Sequence, residues 1–233
     1  MIEIIPAIMP AGFEDLKDKV AYVANHADMV QLDIMDGKFV KARSWPYFSG
    51  DEHSFESLLS ESEGLPEWEK INYEIDLMVS KPEDVIDDWI TAGASRIVVH
   101  IESTTEMEEI VKRMHGRFGY GTSRAADVEL GIALNIDTPT DTLLPFLEQI
   151  QFVQFMGIRT IGLQGEPFDE QAIDKIRNFH NAHPEIIISV DGGVNFETAP
   201  TLLEIGVRRL VAGSVIFESS NIPATLEDFK KIL

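Results

Sequence analysis

INYEIDLMVSKPEDVIDDWITAGASRIVVHI, residues 71–101, contains one complete unit of the fold. It opens on a short apolar run, INYEIDLMV, and closes on another, RIVVHI, as expected of strands buried on both faces of a parallel sheet. Between them KPEDVIDDWITAG predicts a helix. Pro82 suits its first turn, Glu83 and Asp84 suit the positive end of its dipole, and Gly93 suits its C-terminal cap.

The same alternation runs through the chain. The other apolar runs are IEIIPAIM, MVQLDIM, VELGIAL, FVQFM, EIIISVD and RRLVAGSVIF. Amphipathic patterns such as FEDLKDKVAYVANH, TTEMEEIVKRMHG and DEQAIDKIRNFHNAH lie between them. About eight strand-helix repeats predict an α/β fold of the (β/α)8 TIM-barrel type. A doubly wound open sheet is the alternative, but it usually has fewer strands and often a glycine-rich turn after the first. Here the first strand leads into PAGFEDL, which is no dinucleotide fingerprint. A chain of 233 residues suits one barrel, and residues 1–233 are read as a single domain.

Two segments exceed what a connection needs. Lys41 to Lys70 follows a strand, so it is expected on the catalytic face, where it could act as a lid. His115 to Glu129 follows a helix and is expected on the opposite face with a structural role.

The formal charge is −21, which would repel a phosphodiester backbone or an anionic lipid surface. Nucleic acid and membrane are therefore not expected as partners. A small phosphate ester stays open, because main-chain N–H groups in glycine-rich loops supply positive potential without basic side chains. There is no cysteine, which excludes disulfides, thiolate metal sites and cysteine nucleophiles and suits a cytoplasmic location. The N-terminus MIEIIPAIMP has neither the basic region nor the apolar length of an export signal.

In such a barrel the polar residues closing each strand are the candidates for chemistry. They are Gln31, Asp33, Asp76, His100, Glu102, Asn135 and Asp191. Gln31 and Asp33 lie two apart on one strand and point the same way. Buried acids are costly unless a cation or a shared proton compensates, so Asp33, Asp76 and Asp191 together suggest a built site rather than solvated strand ends. Asp36 precedes Gly37 in a turn signal and is read as structural. His100, the only histidine at a strand end, is read as a hydrogen-bonded wall residue.

A phosphate subsite is expected on three neighbouring glycine-bearing strand ends. SVDGGV supplies Gly192 and Gly193, VAGSVIF supplies Gly213 and Ser214, and GLQGEPF supplies Gly162 and Gly165.

PAIM, DIMDGKFV, DLMVSKPEDVIDDWITAGA, GIALNIDTP and VDGGVNFETAPTLLEIGVRRLVAGSVIF together resemble the ribulose-phosphate 3-epimerases over nearly the whole chain. That resemblance implies a ribulose-phosphate-binding barrel. It also implies an isomerase of carbohydrate (pentose phosphate) metabolism that inverts C3 of a ketose phosphate through an enediolate. Asp33 and Asp191 match its acid and base, and Met35, Met78 and Met156 match residues that pad its site. The substrate partner implied is a small phosphorylated sugar, and the assembly implied is a homo-oligomer.

The chain departs from the family inside the site. The family holds a divalent metal with two histidines and two aspartates; the histidine positions match Gln31 and Asp76, and the first-strand serine that contacts substrate matches Ala7. Asp33, Asp76 and Asp191 with the Gln31 carbonyl would form an all-oxygen set favouring Mg²⁺, Mn²⁺ or Ca²⁺ over Zn²⁺, and a site with no metal is the alternative. Gln164 stands where the family loop has glycine, and Arg159 is a candidate for an extra charge-assisted contact. Two other functions stay open. One is a related phosphosugar lyase or isomerase, as in the hexulose-phosphate synthases, though Met35 stands where their strand carries lysine. The other is a noncatalytic phosphosugar binder.

Overall fold

A computed structural model describes residues 2–48, 50–118 and 128–232. Eight parallel strands close into a barrel in sequence order: β1 (Glu3–Ile8), β2 (Met29–Met35), β3 (Asn72–Met78), β4 (Arg96–His100), β5 (Glu129–Leu134), β6 (Phe152–Met156), β7 (Ile187–Asp191) and β8 (Arg209–Ala212). β1 pairs with β8, so no strand edge remains open. The helices are α1 (Phe13–Val23), α2 (Glu52–Leu59), α3 (Ile86–Thr91), α4 (Met107–Phe118), α5 (Gln171–Ala182), α6 (Thr198–Glu204), α7 (Ser214–Phe217) and α8 (Ile222–Lys230).

The predicted TIM barrel is the observed one, with local differences. The helix expected over residues 81–93 is split into a 3-10 turn, Pro82–Asp84, and α3, because Val85 leaves helical geometry at φ −122°. Gly93 does end it, at φ +109°. Between β5 and β6 there are only two 3-10 turns, Thr140–Leu143 and Leu147–Gln149. Pro145 lies between them and lacks the N–H that a continuous helix would use.

Alternation along each strand sorts the side chains. Leu32, Ile34, Ile75, Leu77, Val99 and Ile132 face outward into the main core against the helices. The inward set forms layers. At the N-terminal end Arg96 and Arg209 meet Glu3, Glu74 and Glu129, with Arg96 Nη1 2.7 Å from Glu3 Oε2 and Arg209 Nη2 2.7 Å from Glu129 Oε2. Above them Val98, Ala133 and Phe152 fill the barrel. A Cβ on Gly131 would lie 2.4 Å from the Phe152 ring, so that glycine makes room for the ring. With the lower barrel filled, only the C-terminal mouth is open to chemistry.

The segment from Lys41 to Lys70 is not a lid over that mouth. Trp45, with no solvent exposure, stacks on Phe13 of α1 at 5.2 Å between ring centroids and meets Phe55 of α2 and Trp89 of α3 edge-on at 5.7 and 5.8 Å. Its indole N–H donates to Ser54 Oγ at 2.7 Å. This aromatic cluster pins the segment to the flank of the barrel, where it supplies the second helix of the fold. Most of the other long segment, at 119–127, lies outside the described residues. No helix among the described residues is long and apolar enough to cross a membrane.

Candidate active site

Asp33 and Asp76 are register partners on β2 and β3, and Asp191 ends β7. Strand parity turns all three inward at the mouth, where each offers a carboxylate oxygen within 4.8 Å of the others. The polar residues beside them set their environment. Gln31 Nε2 donates to Asp33 Oδ1 at 2.8 Å and to Asp191 Oδ2 at 2.9 Å, so one amide joins opposite sides of the barrel. Gln154 Nε2 donates to Asp76 Oδ2 at 3.1 Å, and Gln154 Oε1 accepts from Ser189 Oγ at 3.2 Å. His100 Nε2 lies 3.1 Å from Asp76 Oδ1.

Burial and like charge act on these acids together. Burial first, then the charges of Asp191 and Asp76, holds the Asp33 carboxyl well above the usual carboxylate range. Burial and the Asp76 charge push Asp191 up to about 7, against the lowering effect of the Gln31 amide, the His100 charge and the Gly192 N–H. Burial opposes a charge on His100, but the Asp76 carboxylate outweighs it and raises the imidazole's proton affinity. Beside a carboxylate oxygen, which can only accept, Nε2 is the donor.

A narrow cavity opens from this group toward the last strands. Asp33 and Asp191 line it, with Ala7, Met78, Met156, Gly162, Gln164, Gly165, Gly192, Gly193, Gly213 and Ser214, so most of the residues expected at the site are brought together. Gly193 shows why a loop glycine is needed: its φ is +69°, and a Cβ there would sit 2.6 Å from the Phe168 Cα. Among the described residues no lysine or arginine lines the cavity.

Several expectations are corrected. Met35 does not line the cavity; it is wholly buried with Val40 and Met78, and its sulfur lies beneath Gly162. Gln31 and Asp76 are also fully buried behind the wall, whereas Asp33 and Asp191 keep 7% and 9% exposure. Arg159 turns away to Asp169, 2.6 Å from its Nε, and to Gln171 at 2.8 Å. In a chain this acidic, an exposed guanidinium has nearer carboxylates than a ligand would offer. Asp36 serves the turn, as the sequence reading expected: Oδ1 accepts from Lys38 N at 2.8 Å and Oδ2 from Ser80 N at 3.0 Å. Glu102 and Asn135 are outside the triad, Glu102 Oε1 accepting from Asn135 N at 2.8 Å and from the Thr138 hydroxyl.

Sequence reasoning missed Gln154 and Ser189, and among the lining residues Met9, Ile158, Leu163, Glu166, Val194 and Val211. One signal was available for Gln154, the single polar residue in FVQFM, two before Met156 and therefore inward.

The spacing of the three carboxylates is within the reach of a metal ion, so the donor set decides whether one fits. The expected fourth ligand, the Gln31 carbonyl, is not presented: the amide nitrogen faces the acids, and Oε1 is buried without a hydrogen-bond partner. Reversing the amide without a cation would set an oxygen against two carboxylates. Both oxygens of Asp76 are already engaged, by His100 and by Gln154. The residues as arranged therefore do not fit the metal centre that the resemblance implies.

Comparison with known proteins agrees with this geometry at the level of fold and family. The model of the ribulose-phosphate 3 epimerase family matches residues 3–217. Ribulose-phosphate 3-epimerase from Schizosaccharomyces pombe is 26% identical over 220 residues, covering 94% of this chain and 88% of the relative. The protein of that name from Treponema pallidum is 29% identical over 220 residues, covering 92% and 91%. Among solved structures, 3-hexulose-6-phosphate synthase from Salmonella typhimurium superposes with a TM-score of 0.70, covering 100% of this chain and 98% of that one, at 11% identity. That likeness bears on the fold alone.

Proposed function

The chain belongs to the ribulose-phosphate 3-epimerase family, and from that premise we propose that it inverts C3 of a ketose phosphate, with Asp33 and Asp191 as the acid and base pair. The observation that carries this reading is the placement of those two carboxyls at one cavity, joined by a single amide.

The chemistry follows from their environment. A hydrogen on the carbon beside a ketone is weakly acidic, and a base whose pKa lies near the operating pH removes it best. Asp191, raised to about 7, suits that role, while burial and the neighbouring acids favour the protonated form of Asp33, which suits the acid. One carboxylate takes the C3 proton; the C–H electron pair becomes the C2–C3 double bond, and the ketone oxygen takes the negative charge. The other carboxyl then delivers its proton to the opposite face, and the double bond returns to the carbonyl. The reverse reaction exchanges the two roles.

The sugar's phosphate is assigned to the other end of the cavity, on the main chain of Gly162, Gly165, Gly192, Gly193, Gly213 and Ser214 with the Gln164 side chain. Main-chain amides are the remaining donors there, since no cationic side chain lines the cavity among the described residues. Met78 and Met156 pack against the sugar, and Ala7 forms the floor. With Met35 buried, the lining carries no lysine for an aldol-type lyase either.

The test is solvent exchange. Ribulose 5-phosphate incubated with the protein in deuterium oxide should gain deuterium at C3, with xylulose 5-phosphate appearing, as followed by NMR. Asp33→Asn and Asp191→Asn should each abolish turnover. A wild-type protein that exchanges no proton in any ketose phosphate tried would remove the epimerase reading.

A further inference from the structure

We propose that the Gln31 side-chain amide stands in for the metal ion of this site, tying Asp33 and Asp191 into a fixed pair, and that the protein works without a divalent cation. The proposal rests on the epimerase reading for its catalytic half only; its binding half is independent.

The triad has six carboxylate oxygens, and four of them accept hydrogen bonds: Asp33 Oδ1 and Asp191 Oδ2 from Gln31, Asp76 Oδ1 from His100, and Asp76 Oδ2 from Gln154. A cation needs several of these oxygens converging on one point, and Gln31, His100 and Gln154 already draw on four of the six. The length of the side chain matters as well. Gln31 sits one inward position below Asp33 on the same strand, and its amide must reach that neighbour and also Asp191 on β7. At 2.8 and 2.9 Å both bonds are well formed.

The arrangement does part of a cation's work with neutral atoms. It holds the two acids at fixed positions beside the cavity, one N–H to each, as a bridging ion would. Gln31 is in this sense a positioning residue. Its orphaned Oε1 is what this orientation leaves behind.

Two measurements test the proposal separately. In the first, chelator-treated protein is titrated with Mn²⁺ and followed by electron paramagnetic resonance. The wild type should leave the ion free throughout the micromolar range, whereas Gln31→His combined with Asp76→His should take up one ion per chain. Micromolar uptake by the wild type that is lost in Asp33→Asn would overturn the proposal, since the amide would then have reversed to offer its oxygen. In the second, C3 exchange is measured with chelator and with added Mn²⁺. Equal rates are expected, and exchange seen only with Mn²⁺ overturns the proposal while leaving the epimerase reading intact. If neither condition gives exchange, the epimerase reading fails and the Mn²⁺ titration still decides the binding half. Gln31→Met, which keeps the shape and loses the donor that positions the two acids, should lower kcat by about 100-fold with KM nearly unchanged. An unaltered kcat would also overturn it.

Discussion

His100 Nε2 lies 3.1 Å from Asp76 Oδ1, and neither side chain has any solvent exposure. The pair joins a fourth strand to the carboxylate group and gives Asp76 a hydrogen-bond donor where solvent cannot supply one. His100→Phe would leave Asp76 with the Gln154 amide alone. The expected cost is about 1–3 kcal/mol of folding stability, measured by urea denaturation, together with slower C3 exchange. His100→Gln, which can keep a donor near Asp76, should recover part of both. Unchanged stability in His100→Phe would mean that the contact contributes nothing.

The buried acids make stability depend on pH in a direction opposite to that of salt-bridged carboxylates. Burial raises Glu74 to about 7 despite Arg96 and Arg209, raises Asp191 to about 7, and holds Asp33 well above its ordinary range. A folded-state pKa above the unfolded one means that the native protein keeps the proton more tightly. The resulting stability is complete below about pH 4 and is lost as pH rises through about 7. For Glu74 alone the loss is on the order of 3 kcal/mol. Raised His100 acts in the same direction. Over the range in which exposed acids stay ionised, the melting temperature should fall from about pH 5 to about pH 8, as read by differential scanning calorimetry.

A related expectation concerns Asp191→Asn. It should abolish exchange yet raise the melting temperature near pH 8, because it removes a charge that burial disfavours, and it should change little near pH 5. A variant less stable at both values would show that the carboxylate is compensated in the folded protein.

Gly193 carries a prediction about the phosphate end. Its backbone is left-handed, and an added Cβ would lie only 2.6 Å from Phe168, which leaves no room for a methyl group. Gly193→Ala should move the loop, at a strain cost of about 1–3 kcal/mol. Binding of ribulose 5-phosphate should weaken by roughly tenfold in calorimetry. Unaltered affinity would place the phosphate elsewhere.

Trp45 separates a structural from a gating role for residues 41–70. Truncation to alanine should cost about 3–5 kcal/mol, because the indole is enclosed by Phe13, Phe55 and Trp89. A lid would behave differently, with KM rising and the melting temperature unchanged.

The barrel was legible in the chain because its signal is local. Val- and Ile-rich runs separated by capped amphipathic segments need no long-range information, and parity alone turned Gln31 and Asp33 to one side. The glycines of the last strands were equally readable, since positive φ is a property of single residues. The broken helix at Val85 and the 3-10 turns beside Pro145 were less so, because helix ends depend on packing as much as on propensity.

The sequence by itself therefore determined the strand count, the inward acids and the glycine loops of this protein. Which atom of Gln31 faces those acids, that His100 and Gln154 both serve Asp76, that Met35 lies under the wall, and that Arg159 turns outward were decided only by the tertiary structure. Each of these depends on contacts between strands far apart in sequence, and on which neighbour a polar side chain meets once water has been removed.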